Sequence, residues 1–484
     1  MRMLAAGLTV SLVLPACAPV GPDYATPDIP VPDYWNTAVR SDLESSNPDI
    51  SNWWRRFHDP TLNKLIALAA ASNRELAIAA ERIEEARARA GVARGGLAPF
   101  VSTQGSLTEN RATESQPFQP LDNPSEIADA TIDAGWEIDF VGGLRRAVQA
   151  ARRNLAATRE FHRDAMVVIY AEVASTYIEY RTLQERLAVT EENIKRQRES
   201  VQLTSDRKNA GLAPEIDVSQ ARENLASSEA VIPQIRTRLA AAKNRLALLV
   251  GRYPGALDPL LGKGTIPTLD RSAAIGLPVD LLRARPDIRA AERELAAQTA
   301  RIGLATAELY PKFSLLGTFG LQTIGATEDF LSAPSRTYAF GPAFRWRIFE
   351  GGRLRENVRL EESRARQALL NYQNAVLEAV ADVETALAAL AYERRRLAHL
   401  KDAVTFARKT VDLIRDNYKN GLVNFQNVLD AERTIFSNQD QAAVSRGLIA
   451  RNHVALYRAL GGGTSMKAPR NALPPDKPSP PPAR

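Results

Sequence analysis

The sequence predicts a mainly α-helical chain that carries a few β-strands and is built as a tandem duplication. Landmark residues recur in the same order at a near-constant offset. Apolar residues repeat every seven positions along very long stretches without proline. Two shorter stretches alternate between apolar and polar residues.

The duplication is read directly from the residues. Arg89-Ala90-Gly91-Val92-Ala93, followed by Pro99, matches Arg301-Ile302-Gly303-Leu304-Ala305, followed by Pro311, at an offset of 212. Gly142-Gly143 matches Gly351-Gly352 at 209. Gly211-Leu212 with Val218 and Ala221 matches Gly421-Leu422 with Val428 and Ala431 at 210, and Leu246 and Gly251 return as Leu456 and Gly461 at the same offset. The chain therefore divides into a first repeat over 61–251, a linker over 252–276 and a second repeat over 277–463. A Pro-rich tail, 464–484, is expected to be disordered.

Ahead of the repeats stands an export signal. Arg2 precedes an apolar run of 11 residues, Leu4 to Leu14, too short to span a bilayer but suited to a signal-peptide core. The string Leu14-Pro15-Ala16-Cys17 fits a lipoprotein signal over 1–16, with Cys17 as the lipid-bearing first residue of the mature chain; the alternative is a general secretory signal with an incidental Cys. Pro15 departs from the small residue usual there. Position 18 is Ala, so the acidic residue that retains a lipoprotein at the inner membrane is absent. Pro19, Pro22, Pro27, Pro30 and Pro32 then stiffen an extended arm within residues 17–60.

Each repeat reads helix, strand, loop, strand, very long helix, turn, helix. Thr61 to Arg94 is rich in Ala, Arg and Glu and free of proline, as one helix requires. The period then switches to two. Ala130, Ile132, Ala134, Trp136, Ile138 and Phe140 alternate with Thr131, Asp133, Gly135, Glu137 and Asp139. In the second repeat Tyr338, Phe340, Pro342, Phe344, Trp346 and Ile348 alternate with Ala339, Gly341, Ala343, Arg345 and Arg347, a pattern weakened by Pro342, which cannot donate to a ladder. Partner strands are expected near Phe100 to Thr108 and Phe313 to Thr323. A soluble sheet with one wet face explains a single such strand. Four strands of roughly 10 residues in an exported chain match the length that crosses a bilayer when tilted. Four cannot close, and an open edge cannot face lipid, so a barrel would need several chains.

The long helices carry heptads. Val173, Tyr180, Leu187, Ile194 and Val201 have repeat mates Val383, Leu390, Leu397, Val404 and Val411, apolar at every position. A second seam runs through Thr176 and Leu183, and through Ala386, Leu400, Ala407 and Ile414. No proline lies between Gly143 and Gly211. Gly211-Leu212-Ala213-Pro214 stops the helix, and Glu215 to Val250 is expected to run back as one antiparallel partner.

Composition narrows the function. The excess of 62 Lys and Arg over 56 Asp and Glu gives a net charge of only +6, with no concentrated basic stripe for nucleic acid. One Cys excludes a disulfide framework, and the four His (His58, His162, His399, His453) form no metal-ligand spacing. No nucleophile–base pair is present. Gly262-Lys263-Gly264-Thr265 lacks the upstream glycine of a phosphate loop. Neither an enzyme nor a cofactor is expected.

Three blocks carry a family resemblance: Cys17-Ala-Pro-Val-Gly-Pro-Asp-Tyr24, Gly276-Leu-Pro-Val-Asp-Leu-Leu-Arg-Ala-Arg-Pro-Asp-Ile-Arg-Ala-Ala-Glu292 and Ile302-Gly-Leu-Ala-Thr-Ala-Glu-Leu-Tyr-Pro311. They resemble the TolC-type outer membrane factors, and more narrowly the NodT lipoprotein branch that serves resistance-nodulation-division (RND) efflux pumps. The similarity runs from Cys17 to about Gly463. It implies a homotrimer with a 12-stranded barrel in the outer membrane, continued by an α-helical coiled-coil barrel across the periplasm. A mixed belt is expected from Tyr34 to Pro60, Arg252 to Ile275 and the tail. The implied partners are a periplasmic adaptor, an inner-membrane RND pump and outer membrane lipid. The implied function is passive export of drugs or other small toxic compounds.

The resemblance also implies site residues. The neck should lie at the hairpin turns, where Tyr418 and Asp217 match a linking pair and Asp430 matches a ring aspartate. Asn427 stands where some members carry a second Asp. Val423 replaces an Arg of some relatives and Ile216 its hydroxyl partner, so that link is missing. Gly211-Leu212 and Gly421-Leu422 are the expected adaptor-docking tips. Export of proteins by a type I system, metal-ion export, and a pore-free periplasmic scaffold are the rival readings. With four Met and no His-rich lining, a dedicated copper or silver route is disfavoured.

Overall fold

The computed structural model describes residues 18–32, 35, 50–111, 113, 115, 124–269, 285–325 and 327–464. The signal, Cys17, Tyr34, most of the Gly276–Glu292 block and nearly all of the tail lie outside them. Helices α1 (Pro60–Ser72), α2 (Arg74–Gly95), α3 (Gly143–Asn209), α4 (Glu215–Glu229), α5 (Val231–Leu249), α6 (Pro286–Ala307), α7 (Arg353–Lys419) and α8 (Phe425–Ala459) accompany strands β1 (Phe100–Asn110), β2 (Ser125–Ile138), β3 (Lys312–Ile324) and β4 (Arg336–Arg345). Among the described residues, no helix is long and apolar enough to cross a membrane. The chain forms two compact units, each described by itself.

The first unit comprises Met1–Asp28, Arg82–Arg159 and Ala290–Gln373, and its centre is one antiparallel sheet in the order β1-β2-β3-β4. Register places Ile132 opposite Phe319, which faces Tyr338, and Ile138 opposite Phe313, which faces Phe344. Side chains alternate across a pleated strand, so these residues share one face with Val101, Leu107, Trp136, Leu315 and Phe340. All of them are exposed. The opposite face is polar, with Thr318 donating to Asp133 at 2.7 Å and Ser106 to Asp129. Among the described residues, β1 and β4 each pair on one side only, which explains why Pro342 is tolerated in β4: an edge strand has an amide the ladder does not need. β4 ends at Arg345 and β2 at Ile138, so Trp346, Ile348 and Phe140 lie beyond the strands. The duplication extends to single hydrogen bonds. Trp136 donates from Nε1 to the Leu97 carbonyl at 3.0 Å, and its repeat mate Trp346 donates to Leu309 at 3.1 Å.

The second unit comprises Ile29–Glu81, Glu160–Arg289 and Asn374–Arg484. Its core joins Trp53, Trp54 and Phe57 to Leu62, Leu65 and Ile66 of α1, Tyr170, Val173 and Tyr177 of α3, and Leu257 and Leu261 of the linker. Parts of two of the three expected belt segments thus share this core. Asp59 begins α1 by accepting from the Thr61 and Leu62 amides at 2.8 and 2.9 Å, and it also accepts from Tyr177 Oη at 2.8 Å.

Two expectations are corrected. Thr61 to Arg94 is two helices, not one. Asn73 sits in extended backbone between them, its Oδ1 capping the Leu76 amide at 3.0 Å and its Nδ2 donating to the Leu249 carbonyl at 2.7 Å. The return from Glu215 to Val250 is likewise two helices, broken at Ala230. Pro233 has no amide to donate to Glu229, and the ladder fails there.

The heptad seams are buried or half-buried: Val173, Tyr180, Ile194, Val383, Leu390 and Val411 are buried, and Leu187, Val201, Leu397 and Val404 partly so. Beside them runs a stripe the apolar pattern did not reveal. Thr190, Asn193, Gln197, Ser200 and Thr204 are buried on α3 at alternating spacings of three and four.

Candidate functional site

Both long helices end in the same turn. Leu212 N donates to the Arg207 carbonyl at 2.8 Å and Gly211 N to Lys208 at 2.9 Å. At the second tip, Leu422 N donates to Asn417 at 2.9 Å and Gly421 N to Tyr418 at 3.0 Å. This is the Schellman pattern, which needs a left-handed residue; Gly211 and Gly421 supply it at φ +70° and +75°. The residue after that glycine commonly folds back on the helix. Here Leu212 and Leu422 instead project outward, 65% and 72% exposed.

The tips differ in their restart. Asn424 caps α8 by accepting from the Asn427 amide at 3.3 Å. Pro214 precedes α4 without a side-chain cap, and Glu215 in the first turn instead pairs with Lys208 across the bend.

The structure brings Tyr418 and Asp217 together. Tyr418 Oη, at the end of α7, donates to Asp217 Oδ2, in the first turn of α4, at 2.9 Å. Tyr418 is 3% exposed, packed with Phe425, Val428, Leu429 and Ala221, its ring 5.3 Å from that of Phe425. Burial, and then the bond to Asp217, push the Tyr418 phenol up to about 12. The hydroxyl therefore stays a donor at any pH a cell meets.

Asp430 and Asn427 are not brought to that contact. Both are exposed on α8; Asp430 accepts from Gln426 Nε2 at 3.0 Å, four residues earlier on the same helix. Val423 is half-buried against the Tyr418 cluster, and Ile216 is exposed, so the missing Arg position is filled by packing. Cys17 lies outside the described residues.

Sequence reasoning missed Arg207. Its Nη1 donates to the Lys419 carbonyl at 2.6 Å, and its guanidinium lies 5.0 Å from the centroid of the Tyr418 ring. A cation on a helix's last carbonyl satisfies an orphan acceptor and opposes the helix dipole. Arg207 thus ties the end of α3 to the end of α7. The available signal was a basic residue in the turn before a glycine stop. A second missed contact is a buried one: Ser200 Oγ donates to Glu432 at 2.5 Å, and burial pushes the Glu432 carboxyl up.

Comparison with known proteins covers nearly the whole chain. Residues 65–252 and 277–462 match the family model described as outer membrane efflux protein. The chain is 31% identical to nodulation protein T of Rhizobium leguminosarum bv. trifolii over 94% of this chain and 96% of that one. It is 32% identical to the pyoverdine export outer membrane protein OpmQ of Pseudomonas putida, over 96% of this chain and 98% of that one. Among solved structures it is similar to the outer-membrane channel OprN, with a TM-score of 0.86 and 33% identity, covering 92% of this chain and 99% of that one.

Proposed function

We propose, for a chain that belongs to the outer membrane efflux protein family, a homotrimeric passive conduit gated at its hairpin tips. The protein is an outer membrane channel component of a tripartite efflux pump, with a TolC-like fold. The observation that carries the trimer is the sheet. Its apolar face is exposed and its two edges are unpaired, whereas lipid tolerates neither a wet strand edge nor an unclosed sheet. Three copies joined edge to edge, β4 of one to β1 of the next, form twelve strands and leave no edge. Trp136 and Trp346, hydrogen-bonded at matching positions, suit the aromatic girdle where a barrel meets headgroups. Cys17, acylated, adds a lipid anchor.

Conduction needs no catalysis by this chain, and the energy comes from the inner-membrane pump. The adaptor docks on Leu212 and Leu422, two tips per chain and six per trimer. Tyr418–Asp217 is the latch of the closed neck, and Asp430, repeated three times with Asn427 beside it, lines the lumen and draws cations. The pump, rather than this channel, sets the cargo; small toxic compounds are the class proposed.

Native mass spectrometry and planar-bilayer conductance of the purified protein test this reading. A trimer with cation-selective conductance that falls in selectivity on Asp430→Ala is expected. A monomer in mild detergent, or no conductance, overturns the trimeric conduit. Unchanged selectivity in Asp430→Ala removes that residue from the lumen.

A further inference from the structure

Described residues of all three sequence blocks that carry the resemblance meet at a point the transport reading does not use. Residues 18–24, which follow Cys17, lie against the start of α3 and against α6. Arg146, in the first turn of α3, is 2% exposed. A guanidinium has five N–H donors, and here each has an acceptor. Nε donates to the Val20 carbonyl at 3.0 Å. Nη2 donates to Pro19 and Gly21, both at 3.1 Å. Nη1 donates to Asp23 Oδ1 at 2.8 Å and to Gln149 Oε1 at 2.9 Å. Four of the five acceptors belong to the arm.

Three successive carbonyls converge on one fork only if the arm turns sharply, and Gly21 turns it at φ +86°. A side chain on Gly21 would strike the Gly303 backbone in α6, one on Gly303 would strike Val20 O and Arg146, and one on Gly142 would strike Pro19. Val20 N donates to the Val141 carbonyl at 3.0 Å, just past β2. Tyr24 adds a second fixing point, donating to Glu292 Oε1 of α6 at 2.8 Å. Without the arm, Arg146 would keep one of these five acceptors, Gln149, for its five donors.

We propose that Arg146 is the dock for residues 18–24, making the arm an obligate part of this unit rather than a leash, and that it fixes the N-terminal lipid attachment point against the start of α3. The lipid half rests on the acylation of Cys17 proposed above, two residues before Pro19; the dock does not. Arg146 acts as a positioning residue, through the carbonyls it gathers.

Hydrogen exchange on the full-length protein in lipid nanodiscs tests it, comparing the arm peptide covering Val20 to Tyr24 in wild type and Arg146→Gln. Charge-assisted bonds are lost in the variant, so arm exchange should speed up at least about 10-fold. Peptides from β2 and the rest of α3 should keep their protection, and acylation seen by mass spectrometry should be unchanged. Arm protection equal to wild type overturns the dock. Should Arg146→Gln fail to assemble, Gly303→Ala keeps the guanidinium's charge but puts a methyl against both Val20 O and Arg146 Nε, prising the two apart. The same release is expected there, and wild-type protection again overturns the proposal. Bilayer conductance on the same wild-type sample separates the two readings. A protected arm without conductance leaves the dock standing and overturns the conduit, whereas conductance with an unprotected arm overturns the dock alone.

Discussion

The two hairpins of the second unit began as copies and now do different things. Their outgoing helices, α3 and α7, are each 67 residues long and end in the same glycine turn. The chemistry around that turn has diverged. Tyr418 stands at the repeat position of Lys208, and Asn427 at that of Asp217. One hairpin therefore holds the acceptor and the other the donor, and the pair makes one latch rather than two. At the repeat positions of the buried Thr190, Asn193, Gln197 and Ser200 of α3, α7 carries Leu400, Ala403, Ala407 and Thr410, of which Ala407 alone is buried. The return helices differ too, α8 being continuous and α4–α5 broken. Duplication preserved the turns and released the contacts between them.

The largest expected effect on transport tests what stayed equal. If both tips dock an adaptor alike, Leu212→Asp and Leu422→Asp should each cost about 2 kcal/mol, roughly 30-fold in adaptor affinity. The double variant should reduce drug resistance to that of a strain lacking the protein, with trimers intact by native mass spectrometry. Titration with purified adaptor decides. A loss confined to one tip would show that the halves have diverged in docking as well.

The next prediction concerns a difference deep in the bundle. His453 on α8 is 2% exposed, and burial, then nearby Arg394 and Arg56, lower its pKa to about 4. Arg394 Nη2 lies 3.2 Å from His453 Nε2, a contact that only a neutral ring accepts. The repeat mate is Lys243, half-exposed and paired with Asp258 at 2.9 Å. An unfolded histidine takes a proton near pH 6.5, which the folded site refuses. The stability is thus fully present above about 6.5 and lost as pH falls toward about 4, by about 3 kcal/mol. Glu432, whose carboxyl is pushed up, works in the opposite direction, so the comparison should be made against His453→Gln. Thermal unfolding at pH 7 and pH 4.5 should fall less steeply in that variant; equal slopes would remove His453 as the cause.

A smaller effect belongs to the latch. A hydrogen bond to a half-exposed carboxylate contributes about 1 kcal/mol, so Tyr418→Phe should raise the open probability in bilayers about five-fold. Asp217→Ala should do the same, and the double variant no more than either alone, because the two residues act as one. Additive effects would mean that Tyr418 and Asp217 hold the tip through separate contacts.

How far the sequence carried depends on whether a feature is periodic or geometric. The offset near 210, the limits of α3 and the alternating faces of β2 and β4 were all legible, because each is a repeated pattern. Single residues that interrupt a pattern were not. Asn73 looks like any polar helix residue until its amide is seen serving Leu249 and its carbonyl oxygen serving Leu76. The buried stripe on α3 escaped because heptads were counted on apolar residues alone. Two of those polar residues, Thr190 and Thr204, spend their hydroxyls on their own helix, bonding the Arg186 and Ser200 carbonyls. Tyr418 and Asp217 lie 201 positions apart, and only the family resemblance joined them before the fold did. Arg146 had no periodic signature at all, since four of its five acceptors come from residues more than 120 positions away.

The smallest effect would restore a symmetry. α8 runs unbroken from Phe425 to Ala459, while its counterpart stops at Glu229 and restarts at Val231. Ala230 keeps a helical φ of −64° but its ψ relaxes to −19°, so the break is a loosened turn rather than a change of direction. Pro233 is the physical cause: without an amide it leaves the Glu229 carbonyl unserved, and its ring crowds that carbonyl. In a helix interior this costs about 3 kcal/mol, but here the break has already absorbed most of it, placing Pro233 in a first turn where proline is tolerated. Pro233→Ala should therefore stabilise by at most about 1 kcal/mol. Its clearer signature is local: slower hydrogen exchange at Ala230 to Gln234, with peptides from α8 unchanged. If exchange there does not slow, the break is imposed by packing around Ser228 and Ile235, and the two return helices differ for a tertiary reason rather than a local one.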